Sequence, residues 1–145
     1  MADTTRRFDV ALVTPDGEVF RGEAEMLVVP GAAGEIGVLA RHAPLVATLK
    51  AGSTRVYLDR ASEDVLEFAT GPGFFKVELD RALALVDDAV NVKEIDDARA
   101  RTQLETAKAE LEKVEAGESQ ADRWQLEQRI QHAENQLSVS GRTTG

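Results

Sequence analysis

Cysteine is absent from this chain of 145 residues, histidine occurs only twice, and apolar residues form only short runs. Without cysteine the protein has neither a disulfide framework nor a thiolate metal site. The longest apolar runs, such as Met26 to Pro30, are far shorter than the roughly 20 residues of a membrane-spanning helix. Met1 to Arg7 is polar and no apolar segment follows it, so we expect no signal peptide and no direct membrane insertion.

A cluster of basic residues is also missing. The formal net charge is -9, and acidic and basic residues are mixed along the chain. Nucleic-acid binding requires clustered Lys and Arg to neutralise phosphates, and an anionic lipid surface requires a similar patch. The charge balance therefore argues against both partners, and any membrane association has to come through another protein.

Motifs of known catalytic sites are missing as well. His42 and His132 lie in different halves of the chain, and neither has neighbours at metal-ligand spacing. No G-x-S-x-G, Walker-type or H-E-x-x-H motif is present. Asp87-Asp88 and Asp96-Asp97 do not form acid/base pairs, because adjacent side chains diverge on a strand or a helix. We expect no catalytic residues, no metal site and no cofactor.

Before residue 90, short apolar runs alternate with turn residues. The alternation from Phe8 to Leu12 precedes Thr14-Pro15-Asp16-Gly17, which is typical of a strand that enters a tight turn. Short strands separated by Gly and Pro, with no helix-length periodic run between them, predict an antiparallel sandwich or barrel. The further predicted strands are Val19-Phe20, Met26 to Val29, Ile36 to Leu39, Leu45 to Leu49, Val56 to Leu58, Val65 to Ala69, Phe74 to Leu79 and Leu83 to Val86.

From Asn91 onward the apolar period changes to that of a helix. Apolar residues three and four apart form two stripes, and two helices with a connection of about five residues lie antiparallel. The stripes expected to pack in this hairpin are Leu104, Ala107, Leu111 and Val114 on the first helix and Leu126, Ile130, Ala133 and Leu137 on the second. The predicted fold class is α+β, with a β-sandwich domain in residues 1–90 and a helical hairpin in residues 91–145.

The hairpin is expected to be only marginally stable by itself. Each seam is narrow and rich in Ala, so it buries little apolar area. The hairpin must therefore pack against another surface or move. The expected helix starts and stops, judged by capping chemistry, are Asn91 with Glu94, Gly117, Ser119 with Asp122, and Gly141.

One segment, Gly34 to Leu45, carries a specific resemblance. Its letters G-E-I-G-V-L-A-R-H-A-P-L resemble the G-E-[LI]-G-[IV]-x-x-x-H-[AI]-P-L signature of the epsilon subunit of bacterial F-type ATP synthase. The resemblance extends in order over roughly residues 7 to 139. Its other parts are Val10 to Gly17, Gly71 to Val77, Ile95 to Ala100 with the helix-start pattern I-D-x-x-R-A, and Asn135 to Val139.

The resemblance implies a non-catalytic rotor subunit with a sandwich of about ten strands. In that family the sandwich sits on the gamma subunit and the c-ring. The hairpin either folds down or extends beside gamma into the alpha/beta hexamer, where it inhibits ATP hydrolysis. The expected location is the cytoplasmic face of the bacterial plasma membrane, as a peripheral part of the complex, and the isolated subunit is expected to be a monomer.

The resemblance also implies an interface with the c-ring and gamma at Glu35, Ile36, Arg41 and His42. The family position of Glu35 faces the polar loops of the c-ring, although a solvated loop carboxylate is the alternative. For His42 we favour a structural role at a strand start over a direct partner contact. The family often has Pro-Gly before this histidine, whereas this chain has Ala40-Arg41, which adds a cation.

In some family members the start of the first helix belongs to an ATP site. The matching residues here are Ile95, Asp96, Arg99 and Ala100. Three further arginines of that site are replaced by Thr106, His132 and Gln136, and its preceding carboxylate by Val90. We therefore expect nucleotide binding to be weak, with a helix-start salt bridge between Asp96 and Arg99 as the alternative role.

Two other hypotheses apply to the chain. One is an unrelated β-domain adaptor whose hairpin forms homo-oligomers and does not bind gamma. The other is an enzyme whose acidic residues hold a metal, which requires carboxylates that converge in one cleft.

Overall fold

Ten strands and two α-helices make up the computed structural model, which describes residues 6–62 and 64–144. Most of Met1 to Arg7, the segment in which no signal peptide is expected, lies outside these ranges. The strands are β1 (Phe8–Thr14), β2 (Gly17–Ala24), β3 (Met26–Gly31), β4 (Gly34–Leu39), β5 (Leu45–Leu49), β6 (Gly52–Asp59), β7 (Asp64–Thr70), β8 (Gly73–Glu78), β9 (Arg81–Val86) and β10 (Ala89–Asn91). A 3-10 turn (Val92–Glu94) precedes α1 (Asp97–Glu115) and α2 (Arg123–Thr144).

The strands form a sandwich, as expected. Their order is β10-β7-β6-β3-β5-β8-β9-β1-β2, with β4 on the second edge of β3. Although β2 and β7 are far apart in this order, the rings of Phe20 and Phe68 lie 6.5 Å apart. The sheet therefore folds over on itself, and the two layers share one core.

The prediction that all strands pair antiparallel was wrong for one pair. β1 pairs in parallel with β9, from Asp9 opposite Arg81 to Val13 opposite Leu85, whereas the other strand pairs of the described chain are antiparallel. β1 and β9 come from distant parts of the sequence and share no hairpin, so no local turn signal reveals their direction.

The core follows from period-two alternation along the strands. In β1, Val10 and Leu12 are buried while Asp9 is exposed. The same alternation in β8 buries Phe75 and Val77 and leaves Phe74 exposed. The inward residues of both layers form one cluster, whose largest members include Leu12, Leu27, Val29, Phe68 and Phe75. This apolar core supplies the main driving force for folding of the sandwich.

Chain contacts define two compact units, residues 1–91 and 92–145. In the second unit, α1 begins later than expected. Asp96, rather than Asn91, is its N-cap, because the Asp96 carboxylate accepts a hydrogen bond from the Arg99 amide at 3.1 Å. The capping-box start at Asn91 and Glu94 was therefore wrong, since the chain there makes a 3-10 turn.

The C-terminus of α1 confirms Gly117 as a stop. Gly117 has φ +77°, its amide donates to Val114 O, and the Glu118 amide donates to Lys113 O. These two bonds are those of a Schellman motif, in which a left-handed glycine satisfies the last carbonyls of the helix.

The start and end of α2 also differ from expectation. Asp122 is itself the N-cap rather than the N3 partner of a cap at Ser119, because its carboxylate accepts from the Trp124 amide at 2.9 Å. The Ser119 hydroxyl instead donates to Glu110. The helix continues through Gly141 to Thr144, since one glycine inside a helix costs only about 1 kcal/mol.

The two predicted stripes occupy one side of each helix. Ala107, Leu126 and Ala133 are buried, and the stripe residues that are half-buried are Leu104, Leu111, Val114, Ile130 and Leu137. Within the described chain, the helices include none that is long and apolar enough to cross a membrane.

Candidate partner interface

The four residues expected at a partner interface lie near opposite ends of β4. Glu35 and Ile36 are at its start, and Arg41 and His42 follow its last residue, Leu39. At roughly 3.3 Å per residue, the strand separates Glu35 from Leu39 by about 13 Å. The structure therefore divides the predicted site into a Glu35 end and an Arg41 end of the sandwich.

At the first end, Glu35 belongs to β4 rather than to a loop. Its Oε2 lies 3.0 Å from Nη2 of Arg55 on β6. The Glu35 side chain is 61% exposed and that of Arg55 is 33% exposed. Glu35 is therefore a surface carboxylate with an internal cationic partner. Its neighbour Ile36 is half-buried and packs against the core.

At the second end, the loop after β4 is tightly turned. The His42 amide donates to Leu39 O at 3.2 Å, and the His42 Nδ1 lies 2.6 Å from Ala43 O. Arg41 has φ +66° and is exposed, while His42 is half-buried. A positive φ at the third residue of a four-residue turn is the geometry that Pro-Gly adopts. This chain thus places Ala40-Arg41 in a turn of the kind that the family sequence predicts.

The outer face of β5, β8 and β9 carries apolar side chains that sequence reasoning missed. Val46, Phe74 and Leu85 are all exposed. Phe74 lies directly opposite Leu85 across the β8–β9 pair, and Val46 lies on β5 opposite Lys76. Cross-strand neighbours share one face, and Lys76 lies two residues from Phe74 on the same strand, so the three apolar residues lie on one outer face and are here called the apolar strip.

A sequence signal for the apolar strip did exist. Phe74 and Phe75 are adjacent in a predicted strand, and Leu45, Val46 and Ala47 are consecutive apolar residues in another. Because successive side chains of a strand point to opposite faces, one of each set must face away from the core. Consecutive apolar residues in an antiparallel strand that has one solvated face therefore indicate apolar side chains on the outer surface.

Next to the apolar strip, the same face becomes charged. A groove of about 530 Å³ is lined by the charged residues Asp9, Arg21, Lys76, Glu78 and Arg81, with Leu83 among its apolar lining. The hydrogen bond from Arg21 to Glu18 raises the pKa of the Arg21 guanidinium. Because both signs of charge line it, the groove is not a dedicated anion site.

The residues of the possible nucleotide site lie at the start of α1. The Asp96 carboxylate caps the helix by accepting a hydrogen bond from the Arg99 amide. Arg99 is exposed, Ile95 is half-buried and Ala100 is buried. Across residues 6–62 and 64–144, no three His, Asp or Glu side chains come together as metal ligands.

Comparisons with known proteins agree with this architecture. Residues 7–92 match the family model of the ATP synthase Delta/Epsilon chain beta-sandwich domain. The ATP synthase epsilon chain of Laribacter hongkongensis is 40% identical over 105 residues, which cover 72% of this chain and 74% of the relative. The epsilon chain of Halalkalibacterium halodurans is 36% identical over 133 residues, which cover 92% and 96%.

A solved structure shows the same fold. It is a chain of the Euglena gracilis mitochondrial ATP synthase, with a TM-score of 0.70 and 22% identity over 94% of this chain and 83% of that one. The family match covers most of the described sandwich, and the two bacterial relatives extend it into the helices. The chain belongs to the ATP synthase epsilon chain family and is a non-catalytic subunit of that complex.

Proposed function

We propose that this subunit joins the gamma subunit to the c-ring through its sandwich and regulates ATP hydrolysis through its helical hairpin. The observation that carries the proposal is the apolar strip. In this role the subunit is peripheral, at the cytoplasmic face of a bacterial plasma membrane. It is a monomer when isolated, and in the extended state its hairpin meets the alpha/beta hexamer.

The apolar strip supports gamma as the partner of the β5–β8–β9 face. Val46 and Phe74 are among the most exposed large apolar side chains of the described chain, and both project from regular strands. Removal of apolar surface from water contributes about 25 cal/mol per Å² and provides a driving force for association. The charged groove beside the strip supplies a polar rim of the kind that surrounds the apolar centre of interfaces.

Glu35 supports contact with the c-ring at the other end of the sandwich. Arg55 engages Oε2 of Glu35, and within residues 6–62 and 64–144 no other side chain forms an ion pair with this carboxylate, so its second oxygen is available to a basic side chain of the ring. An exposed ion pair contributes little affinity but fixes register. Glu35 would therefore set the orientation of the sandwich on the ring rather than hold it there.

The narrow seam of the hairpin supports a regulatory role. Three of its eight stripe residues are buried, and two of these three are the small residues Ala107 and Ala133. Little apolar area stabilises the helix pair, so a modest difference in affinity between two surroundings is enough to shift its position. Nucleotide is not part of the proposed function, because Thr106, His132 and Gln136 stand where the resemblance places three arginines of the ATP site.

The test compares two leucines with the same exposure on different faces. Leu85 of the apolar strip and Leu39 of β4 are each 46% exposed. Leu85→Ser in the full-length chain should weaken binding to purified gamma about tenfold, since hot-spot apolar residues carry most of the affinity at an interface. Leu39→Ser should leave binding within about twofold of wild type, because the Leu39 carbonyl that closes the turn with the His42 amide is unchanged.

Titration of labelled gamma with each variant provides the measurement, and thermal unfolding of both variants provides the control for folding. Equal loss of affinity for the two variants, or no loss for Leu85→Ser, would remove the apolar strip from the gamma interface. A homo-oligomer that does not capture gamma would favour the adaptor reading.

A further inference from the structure

Three residues other than glycine have a positive φ in the part of the chain that the structure describes, and they lie together. They are Arg41 (66°), Leu79 (52°) and Asp80 (57°). Arg41 and Asp80 are 39 positions apart in sequence, yet the Arg41 amide donates a hydrogen bond to Asp80 Oδ1 at 2.5 Å. Left-handed residues with side chains are uncommon, and they cluster at functional sites.

Leu79 and Asp80 form the two-residue turn between β8 and β9. Glu78 pairs with Arg81, and both residues between them have positive φ, as a type I′ hairpin turn requires. Glycine is the usual second residue of such a turn, because it adopts this conformation without steric cost. Aspartate tolerates the conformation less well than glycine, but it adds a carboxylate that glycine lacks.

Arg41 stands in a second turn that also favours glycine. The bond from the His42 amide to Leu39 O closes this turn, with Arg41 at its third position. An arginine there has a conformational cost that must be offset by another interaction. A hydrogen bond from an amide to a carboxylate is short and strong because it is charge-assisted, and the Asp80 side chain supplies one.

We propose that Asp80 is a positioning residue, which holds the Arg41–His42 loop in the conformation that binds gamma. This inference rests on the proposed function. The loop continues through Ala43 and Pro44 into β5, where Val46 belongs to the apolar strip. It is therefore continuous with the proposed gamma face and lies at the opposite end of β4 from Glu35. A loop that is ordered before binding loses less conformational entropy on association.

Two substitutions at position 80 distinguish the effect of the side-chain acceptor from the effect of the backbone conformation of the turn. Asp80→Asn keeps an oxygen acceptor and a residue that tolerates positive φ. Asp80→Gly removes the acceptor while it relieves the strain of the turn. Asp80→Gly should speed hydrogen exchange of the Arg41 amide about tenfold and weaken gamma binding about fivefold, whereas Asp80→Asn, which keeps the acceptor but not its charge, should have a smaller effect on both.

A glycine at position 41 provides a second, independent test. Arg41→Gly adopts the left-handed turn without help, so the Asp80→Gly change should weaken gamma binding less in that background than in wild type. This comparison does not depend on how far either single change alters stability, and the thermal unfolding midpoint of each variant is measured alongside.

The outcomes distinguish the inference from the proposed function. If wild type does not bind gamma, the proposed function fails and the inference fails with it. If wild type binds gamma and Asp80→Gly binds equally well, the role of Asp80 is overturned while the proposed function stands. Unchanged exchange of the Arg41 amide in Asp80→Gly would also overturn it, because the loop would then be ordered without Asp80.

Discussion

Arg55 and Glu35 form an ion pair across an intervening strand. Nη2 of Arg55 on β6 lies 3.0 Å from Oε2 of Glu35 on β4, and β3 lies between these two strands. The ion pair joins Glu35, the residue expected to face the c-ring, to strand β6 of the same sheet. Glu35 is therefore held in place by the sandwich before any partner binds.

The pair should affect assembly more than stability. Glu35→Gln should lower the free energy of unfolding by less than about 1 kcal/mol, because the Glu35 side chain is 61% exposed and solvent screens the interaction. ATP-driven proton pumping by the reconstituted synthase should nevertheless decrease, because the contact with the c-ring loses its charge. Urea unfolding and a pumping assay provide the two measurements.

Arg55→Gln and the double variant complete a mutant cycle for this pair. A coupling energy above about 2 kcal/mol would contradict the account, because it would make the pair a structural element rather than a docking contact. Unchanged pumping by Glu35→Gln would remove Glu35 from the c-ring interface.

The two glycines of the hairpin should respond to alanine with opposite signs. A Cβ added at Gly117 or at Gly141 meets nothing within 4 Å, so only the backbone decides the effect. Gly117 has φ +77°, and Gly117→Ala should destabilise the hairpin by about 1 kcal/mol. Gly141 lies within α2, and Gly141→Ala should stabilise it by about 0.5–1 kcal/mol.

Helical circular dichroism during thermal unfolding measures both effects, and each variant is the control for the other. A destabilising Gly141→Ala would show that α2 does not continue through this residue. A neutral Gly117→Ala would contradict the Schellman cap.

Asp59 should make part of the sandwich's stability dependent on acid pH. The Asp59 carboxylate accepts hydrogen bonds from the amides of Ser62 and Ala61, and these lower its pKa below the usual 3.8. Because the folded pKa is the lower one, the stabilisation is fully present above about pH 4.5 and is lost as the pH falls through the lowered pKa.

The difference in stability between wild type and Asp59→Ala should therefore be constant from pH 7 down to about pH 4.5 and should narrow below that. Urea unfolding at a series of pH values measures this difference. A stability difference between wild type and Asp59→Ala that is the same at pH 2.5 and pH 7 would show that the Asp59 charge does not stabilise the turn.

MgATP should not bind tightly to the isolated subunit. Isothermal titration at neutral pH is expected to give no saturable heat, because Asp96 serves as the N-cap of α1 and the chain lacks three of the arginines expected in the family's ATP site. Asp96→Ala should instead destabilise α1 by about 1 kcal/mol, the usual effect of losing an N-cap. Tight binding that Asp96→Ala abolishes would contradict this role.

The local features of the fold were predictable from the sequence. The alternation from Phe8 to Leu12 and the Pro15-Asp16-Gly17 turn predicted β1 and its hairpin, and Gly117 predicted the end of α1. These signals lie within a few neighbouring residues, where backbone sterics and hydrogen bonding decide the outcome. β10, which has only three residues, carries no such pattern and was missed.

The features that depend on distant residues were not predictable. The parallel pairing of β1 with β9 and the bond between Arg41 and Asp80 each join segments with no shared turn. Asp80 also occupies a position where turn chemistry favours glycine, so nothing in the local sequence indicates its role. The apolar strip was predictable only in part. The adjacent Phe74 and Phe75 indicate that one aromatic side chain points outward, but they do not indicate which residues lie beside it on neighbouring strands.

The most direct test of the docking surface is hydroxyl-radical footprinting of the full-length subunit with and without gamma. Phe74 on the apolar strip and Trp124 on α2 are almost equally exposed, at 64% and 65%, and both are aromatic. The account predicts that gamma lowers the oxidation of Phe74 at least about fivefold, because the residues of the apolar strip are desolvated in the complex. The oxidation of Trp124 measures the exposure of the hairpin separately. Equal oxidation of Phe74 in the free and gamma-bound subunit would contradict it.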